Sequence, residues 1–411
     1  MNAELRQDIG ALADTVRRFT LERIAPNVAQ WEEAGEIPRE LYREAAAIGL
    51  LGLGYPEALG GTPAPLALRN GLSTTMARHS GSGGLMASLF SLNIGLPPVL
   101  RHGLPEVQQE VIPPVLRGEK ISALAITEPG AGSDVAALRT TARRDPGSGS
   151  GAGPGSGSGA GPGSGSGAGS GDWVIDGEKV FITSGMRADW ITMAVRTGEP
   201  GAKGAGGISM IVVPGDVAGL SRHKLDKMGW WCSDTAHLRM DGVRVPARYL
   251  LGEEGAGFRM IMANFNGERL GMSAMALGFA QACFDEALDW ARQRKTFGSA
   301  LVEKQVIRHK LVDMRMRIES TAAWLDAVTA IADGKLESDP NSEWVAQVCM
   351  LKNHATQTMQ FCADQAVQIL GGMGFMRGTR SERIYREVKV MMIGGGAEEI
   401  MKDLAARQLG L

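Results

Sequence analysis

Residues 121–134 combine groups that could bind a cofactor. They begin as a run of small and aliphatic residues, reach Thr127, and continue through a Gly-Ala-Gly turn to Ser133 and Asp134. An apolar run stopped by Pro and Gly is typical of a buried strand that ends in a tight loop. Such a loop exposes backbone N–H groups and a hydroxyl, which suit a pyrophosphate or a flat aromatic ring system. An ordinary strand and turn has the same pattern, so this stretch alone leaves both interpretations open.

The elements that would position this loop fall into three zones. Helical spacing of apolar residues fills residues 1–120, short strands separated by Gly, Asp or Pro fill residues 121–246, and long helical patterns return in residues 247–411. These patterns predict an α+β protein with a helical N-terminal domain, a middle β-domain and a helical C-terminal domain. They also predict one buried helix over residues 76–96 and a long helix over residues 271–292.

The segment of residues 146–170 differs from the rest of the chain. Residues 146–169 are three copies of PGSGSGAG, with glycine at every odd position. This spacing excludes the i, i+2, i+5 glycine pattern of a dinucleotide-binding loop. The segment has no apolar face to bury, so we expect a flexible loop without chemistry of its own. A natural insertion and an engineered spacer would have the same sequence.

The bulk composition narrows the class of protein. The 411 residues carry a net charge of −2, so no overall field favours nucleic acid or an anionic membrane surface. No apolar run is long enough to cross a bilayer, and acidic residues among the first 19 argue against a targeting peptide. The four cysteines lack metal-ligand spacing and the six histidines are scattered, so no metal site is expected. A cytoplasmic protein is the prediction.

Four motifs together give a stronger signal than any one of them. They are Thr127–Asp134 (TEPGAGSD), Val180–Gly185 (VFITSG), Arg292–Gly298 (RQRKTFG) and Gln368–Gly374 (QILGGMG). In their order and spacing the chain resembles the acyl-CoA dehydrogenases, with weaker similarity from about residue 5 to residue 411. The resemblance implies FAD, a small antiparallel β-barrel or sandwich in the middle, and a C-terminal four-helix bundle. It also implies that a carboxylate removes the α-proton of an acyl-CoA thioester while the β-hydrogen leaves as hydride to the flavin.

The position of that carboxylate distinguishes branches of the family. Many members carry it in a C-terminal motif, where this chain has Gly395. The branch resembling isovaleryl- and long-chain acyl-CoA dehydrogenases takes it from a helix, at an x-Glu-Arg motif that matches Glu268 and Arg269. Apolar neighbours on both sides favour a raised pKa for Glu268, opposed by Arg269 if that side chain points inward. Most glutamates lie on solvated helix faces, and Glu398 and Glu399 are the competing acids.

The resemblance also implies contacts with substrate and cofactor. The substrate residues would be Ser133, Asn266, Arg269, Gly395 and Gly396. The flavin ring and pyrophosphate would contact Leu124, Ala125, Ile126, Thr127, Gly132, Ser133, Phe181 and Thr183. The remainder of FAD would contact Arg294, Thr296, Phe297, Gln305, Ala397 and Glu399, with Gln368, Gly371 and Gly372 supplied by a neighbouring subunit. The family more often has Trp in place of Phe181 and Thr in place of Ala397, so these two contacts differ.

Three functions agree with these features to different degrees. The first is an FAD-dependent acyl-CoA dehydrogenase that passes electrons to an electron-transfer flavoprotein and forms a homo-oligomer, most simply a tetramer. The second keeps the fold with another acceptor or substrate, as in an acyl-CoA oxidase or a flavin monooxygenase. The third, nucleic-acid binding, needs extra basic surface, whereas 43 basic residues stand against 45 acidic ones. Glu268 favours the first, because a monooxygenase has less need of an α-proton base.

Overall fold

The computed structural model describes residues 3–145, 171–198, 204–335 and 342–411. Helices form the N-terminal part, a β-sheet forms the middle and long helices form the C-terminal part, which confirms the predicted α+β class. The predicted loop at residues 146–170 lies outside the described residues, and domain boundaries at residues 120 and 246 stay predictions. Within the described ranges no single helix has the length and apolar composition of a membrane span; residues 83–89 and 92–102 meet that test only as a pair bent by 51°.

The N-terminal helices are α1 (Ala3–Phe19), α2 (Val28–Ala34), α3 (Arg39–Ala47), α4 (Leu66–Ser80), α5 (Gly83–Leu89), α6 (Leu92–Gly95), α7 (Pro97–His102) and α8 (Pro105–Leu116). The prediction of one helix over residues 76–96 was wrong. Gly81 ends α4 with a left-handed φ of 57°, and the Ser82 hydroxyl starts α5 by accepting a hydrogen bond from Leu85 N–H at 3.2 Å. Local capping chemistry therefore divides a stretch whose apolar pattern is continuous.

The strands of the middle region are β1 (Ser122–Ala125), β2 (Thr141–Arg144), β3 (Trp173–Thr183), β4 (Trp190–Arg196), β5 (Ile208–Pro214), β6 (Leu220–Lys224), β7 (Thr235–Val245) and β8 (Leu250–Leu251). They form one sheet in the order β6-β7-β3-β2-β4-β5-β8, with β1 added beside β4. The pairings are antiparallel except those of β1 and β2 with β4. The register of β3 against β7 shifts between Lys179 and Ile182, which turns Phe181 out of the ladder.

The C-terminal elements are α9 (Gly257–Gln293), β9 (Lys295–Thr296), β10 (Ser299–Ala300), α10 (Gln305–Lys335), α11 (Ser342–Leu370), α12 (Gly372–Phe375), α13 (Arg380–Ile393) and α14 (Glu398–Leu409). Helix α9 packs against α4, α10, α11 and α13. It begins at Gly257 rather than near residue 271, so Glu268 lies inside the helix. The glycines at positions 267 and 271 weaken the local helical signal, but tertiary packing overrides that propensity.

Candidate active site

Glu268 lies in the first half of α9 with part of its carboxyl group enclosed by protein. The residue is half-buried, and its Oε2 atom is buried without a hydrogen-bond partner among the described residues. Burial raises the pKa of Glu268 to about 7, although the positive charges of Arg269 and Lys352 oppose this rise. Gly271 lies one turn along the same helix face, and a Cβ built there would meet nothing within 4 Å. With this pKa the carboxyl group can exchange a proton near neutral pH.

The turn between α13 and α14 brings Gly395 next to Glu268. Gly395 and Gly396 have φ values of 66° and 115°, which glycine adopts more readily than any other residue. A Cβ built on Gly395 would lie 3.9 Å from Glu268 Oε1 and 2.8 Å from Met272 Sδ. A side chain at position 395 would therefore enter the space beside the Glu268 carboxylate. The Met272 thioether already lies at that position, so any residue larger than glycine would have to displace it.

Arg269 binds this turn from the α9 side. The residue is only 5% exposed, and its Nε donates a hydrogen bond to the Gly395 carbonyl oxygen at 2.9 Å. Its Nη1 donates to Asn266 Oδ1 at 3.1 Å, and its guanidinium lies 5.5 Å from the centre of the Phe265 ring. Arg269 thus points inward, the orientation in which it limits the rise of the Glu268 pKa. Asn266, Arg269 and Gly395 form one hydrogen-bonded group.

Lys352 in α11 belongs to the same group, although it was not among the site residues predicted from the sequence. The side chain is fully buried, and its Nζ donates hydrogen bonds to the carbonyl oxygens of Met392 at 3.0 Å and Gly396 at 2.8 Å. Burial lowers the pKa of Lys352 to about 8, and the charge of Arg269 adds to this effect. The signal in the sequence is a lysine within the largely apolar run of residues 344–355. Such a pattern does not reveal which distant segment the ammonium group will reach.

The competing acids at the start of α14 have different surroundings. The Glu398 carboxylate accepts hydrogen bonds from Lys402 Nζ at 2.9 Å and from Gln357 Nε2. The Lys402 hydrogen bond holds the pKa of Glu398 below its ordinary value. Glu399 is exposed to solvent. Unlike Glu268, neither acid has a buried carboxyl oxygen without a hydrogen-bond partner among the described residues.

A buried ion pair anchors the loop that follows β1. Lys179 Nζ lies 2.8 Å from Glu128 Oε1, with the two side chains 0% and 6% exposed. The Glu128 carboxylate also accepts the backbone N–H groups of Arg139 at 2.6 Å and Thr140 at 2.9 Å. Burial alone would raise the pKa of Glu128, but Lys179 and these hydrogen bonds hold it below its ordinary value. Burial lowers the pKa of Lys179 to about 8, so both groups are charged at neutral pH.

The same lysine fixes the end of β1 against β3. Its Nζ donates to the Ile126 carbonyl oxygen at 3.0 Å, and the Thr127 carbonyl oxygen accepts the Val180 N–H at 2.9 Å. Ala125 and Ile126 are buried, whereas Leu124 and Thr127 are half-buried. The predicted flavin-binding segment of residues 124–127 is therefore held by pairing of residues 124 and 125 with β4 and by contacts of residues 126 and 127 with β3.

Phe181 presents an aromatic ring beside this segment, on the irregular part of β3. It is 69% exposed and has a φ of 61°. A bulky residue at positive φ is strained, and such strain concentrates at functional sites. Gly132 and Ser133 are exposed in the loop, and Thr183 is half-buried. An exposed ring, a hydroxyl and accessible loop N–H groups fit the isoalloxazine and pyrophosphate of FAD.

The other predicted FAD residues lie in two further places. Arg294, Thr296 and Phe297 lie at the β9–β10 hairpin, and Gln305 begins α10; Gln368, Gly371 and Gly372 lie where α11 passes into α12. Phe297 is 99% exposed at a φ of 50°. Ala397 precedes α14 and is half-buried. Within the described ranges, no hydrogen bond joins the hairpin or the end of α11 to Glu268 or to residues 127–133.

Sequence profiles of three domains match the chain: acyl-CoA dehydrogenase N-terminal domain at residues 6–119, middle domain at 152–243 and C-terminal domain at 255–410. The chain belongs to the acyl-CoA dehydrogenase family. It is 35% identical to the mitochondrial long-chain specific acyl-CoA dehydrogenase of Rattus norvegicus over 398 residues. This alignment covers 96% of this chain and 85% of that protein. It is 33% identical over 407 residues to cyclohexane-1-carbonyl-CoA dehydrogenase of Geobacter metallireducens, over 98% and 97% of the two chains. The crystal structure of acyl-CoA dehydrogenase from Geobacillus kaustophilus has a TM-score of 0.86 at 31% identity, covering 100% of this chain and 99% of that one.

These comparisons confirm the predicted family and the class of enzyme. The chain is an FAD-dependent oxidoreductase of the acyl-CoA dehydrogenase type. The described residues contain no group of three or more His, Cys, Asp and Glu side chains that could hold a metal ion. All four cysteines are buried and unpaired. The roles of individual site residues, Glu268 first among them, stay predictions.

Proposed function

We propose that Glu268 removes the α-proton of an acyl-CoA thioester on its way to the trans-2-enoyl-CoA product. The observation that carries this proposal is the buried, unpartnered Oε2 of Glu268, with the backbone of Gly395 close to Oε1 on the facing turn. A general base must reach its proton and have a pKa near the working pH. Bound FAD would supply the acceptor for the β-hydrogen, which leaves the substrate as hydride. The chain then fits the branch that resembles isovaleryl- and long-chain acyl-CoA dehydrogenases.

The turn of residues 394–397 can supply N–H groups for the thioester oxygen. Peptide groups are planar and trans, so Gly396 N–H points away from the Gly395 carbonyl that Arg269 binds. Ala397 N–H likewise points away from the Gly396 carbonyl that Lys352 binds. No hydrogen bond from the N–H groups of residues 395–397 occurs within the described structure. Negative charge develops on the thioester oxygen as the α-proton leaves, and a fixed N–H donor from Gly395 or its neighbour would stabilise it.

The simplest test adds acyl-CoA thioesters of graded length and branching to the holoenzyme without oxygen. At least one of them should bleach the bound flavin. We expect the acyl tail to lie against residues 86–100, Met272 and Met275. Methionine adapts to many shapes, so both straight and branched chains are consistent with the site. Breakdown of fatty acids and of branched-chain amino acids are thus the two candidate pathways. If no thioester reduces the flavin, the proposed function is wrong.

The rate of flavin reduction should follow the ionisation of Glu268. Because only the carboxylate accepts a proton, the rate should fall as the pH drops through about 7, the raised pKa of this group. Below that point it should fall about tenfold for each pH unit. Stopped-flow reduction over a pH series measures this dependence. If the rate falls only near a pH of about 4.3, the ordinary glutamate pKa, then desolvation does not raise the pKa of the base. The falling part of the rate profile at low pH is called its acid limb.

The electron acceptor separates the dehydrogenase from the related alternatives. We propose an electron-transfer flavoprotein as acceptor, with the enzyme acting as a dehydrogenase. An acyl-CoA oxidase or a flavin monooxygenase would instead be reoxidised rapidly by air. Mixing the reduced enzyme with air-saturated buffer, and separately with an electron-transfer flavoprotein, distinguishes them by the rate at which the yellow colour returns.

The assembled protein should be a homo-oligomer, with a tetramer as the specific proposal. Apart from the half-buried Thr296, the predicted FAD residues at the hairpin and at the end of α11 are exposed. Within the described residues they share no hydrogen bond with the flavin-ring segment. A neighbouring subunit could bring them to one cofactor. Native mass spectrometry should give four chains and about one FAD per chain, as the resemblance implies.

We place the enzyme in the cytoplasm, where its four unpaired cysteines would stay reduced.

A further inference from the structure

We propose that Lys352 is a positioning residue that holds the turn between α13 and α14 in the conformation that Glu268 and the thioester oxygen require. The inference rests on the proposed function of Glu268 and adds a residue from α11 to it. Lys352 Nζ donates hydrogen bonds to the carbonyl oxygen of Met392, near the end of α13, and to that of Gly396, within the turn. The lysine therefore links the turn to the end of α13 and to α11.

The turn needs such support because of its composition. Residues 394–396 are all glycine, and two of them have positive φ values, so the isolated segment would sample many conformations. Lys352 and Arg269 together supply three hydrogen bonds to carbonyl oxygens between residues 392 and 396. Hydrogen bonds from charged donors are the stronger kind. By fixing these carbonyl groups, the two cations also fix the opposite directions of the N–H groups.

The charge of Lys352 adds an effect that a neutral donor would lack. The groups that face Lys352 are Arg269 and Glu268 on α9, Glu398 at the start of α14 and Cys349 on its own helix. Positive charge at Lys352 favours the carboxylate form of Glu268 and so lowers the pKa of that group. Loss of the charge should raise the Glu268 pKa. The acid limb of the rate profile should then move to higher pH, a change that loss of packing alone would not produce.

The test compares Lys352→Met, Lys352→Arg and Lys402→Met in the holoenzyme. Methionine keeps most of the buried volume but has neither donor nor charge, so flavin reduction should slow by about 10²-fold, as for a misplaced reacting group. Its acid limb should move to higher pH. Lys352→Arg keeps charge and donors and should recover part of the rate and the parent pH profile. Lys402 is 65% exposed and pairs only with Glu398 among the described residues, so Lys402→Met should match the parent.

Amide hydrogen exchange supplies a measurement that does not depend on turnover. In residues 390–401 the N–H groups of Gly394 and Met401 are hydrogen-bonded at the two ends of the turn. Their exchange should speed up about tenfold in Lys352→Met, the effect of losing hydrogen bonds to a charged group, and should be near the parent rate in Lys352→Arg.

Two results would overturn the proposal: unchanged exchange in residues 390–401, or a parent pH profile in Lys352→Met. If Lys352→Met does not fold, Lys352→Gln, which keeps a donor without the charge, is judged by the same pH shift. A parent enzyme that no acyl-CoA reduces would reject the proposed function, whereas the exchange comparison would still decide whether Lys352 holds the turn.

Discussion

Replacing Glu268 with Gln should slow anaerobic flavin reduction by an acyl-CoA about 10²- to 10⁴-fold, the range for loss of a positioned general base. The amide is nearly isosteric, so folding, FAD content and acyl-CoA binding should persist. Within this part of the site the competing acid Glu398 is already paired with Lys402 and Gln357. Stopped-flow absorbance at saturating thioester measures the chemical step apart from binding.

The matched control for this substitution is Glu319→Gln. Glu319 lies on α10, is 58% exposed and pairs with Arg315 on the same helix, so its loss should leave the rate at the parent value. If Glu268→Gln reduces the flavin as fast as the parent, the base is elsewhere. Glu398→Gln and Glu399→Gln would then be the next variants, and the assignment to the helix-base branch would fail as well.

Replacing Lys179 with Met should cause the largest loss of stability of any single change considered for this protein. Glu128 would remain as a buried carboxylate without its cation, and removing one partner of a buried pair costs about 3–5 kcal/mol. The Ile126 carbonyl would also lose its donor, so the flavin-binding segment should loosen. We expect a lower urea midpoint for unfolding, followed by tryptophan fluorescence, and loss of FAD on gel filtration.

Two further variants distinguish the loss of stability caused by an unpaired buried charge from any loss caused by removing a lysine. Lys224→Met removes an exposed lysine from β6 of the same sheet and should leave the midpoint within experimental error. The double variant Glu128→Gln with Lys179→Met removes both charges and should be more stable than Lys179→Met alone. If the double variant is no more stable than the single one, the uncompensated carboxylate is not the cause.

The sequence by itself determined the family, the α+β class and the residues to consider for chemistry. These features are local: a motif such as TEPGAGSD, a switch from helical to strand spacing, or an acid flanked by apolar residues can be seen within a dozen positions. Glycine at position 395 and glutamate at position 268 together match the helix-base branch in sequence alone. The helix boundaries were less secure, because Gly81 and Ser82 end and start helices within one apolar stretch, and Gly271 lies within another helix.

Only the tertiary structure decided which groups meet. Burial of Glu268 Oε2, the inward turn of Arg269 and the reach of Lys352 to the carbonyl groups of Met392 and Gly396 depend on how α9, α11 and α13 pack. A pKa near 7 for Glu268 follows from that packing, since desolvation is a property of surroundings and not of neighbours in the chain. The pair of Lys179 with Glu128 has the same origin: partners far apart in sequence become close only when the sheet forms.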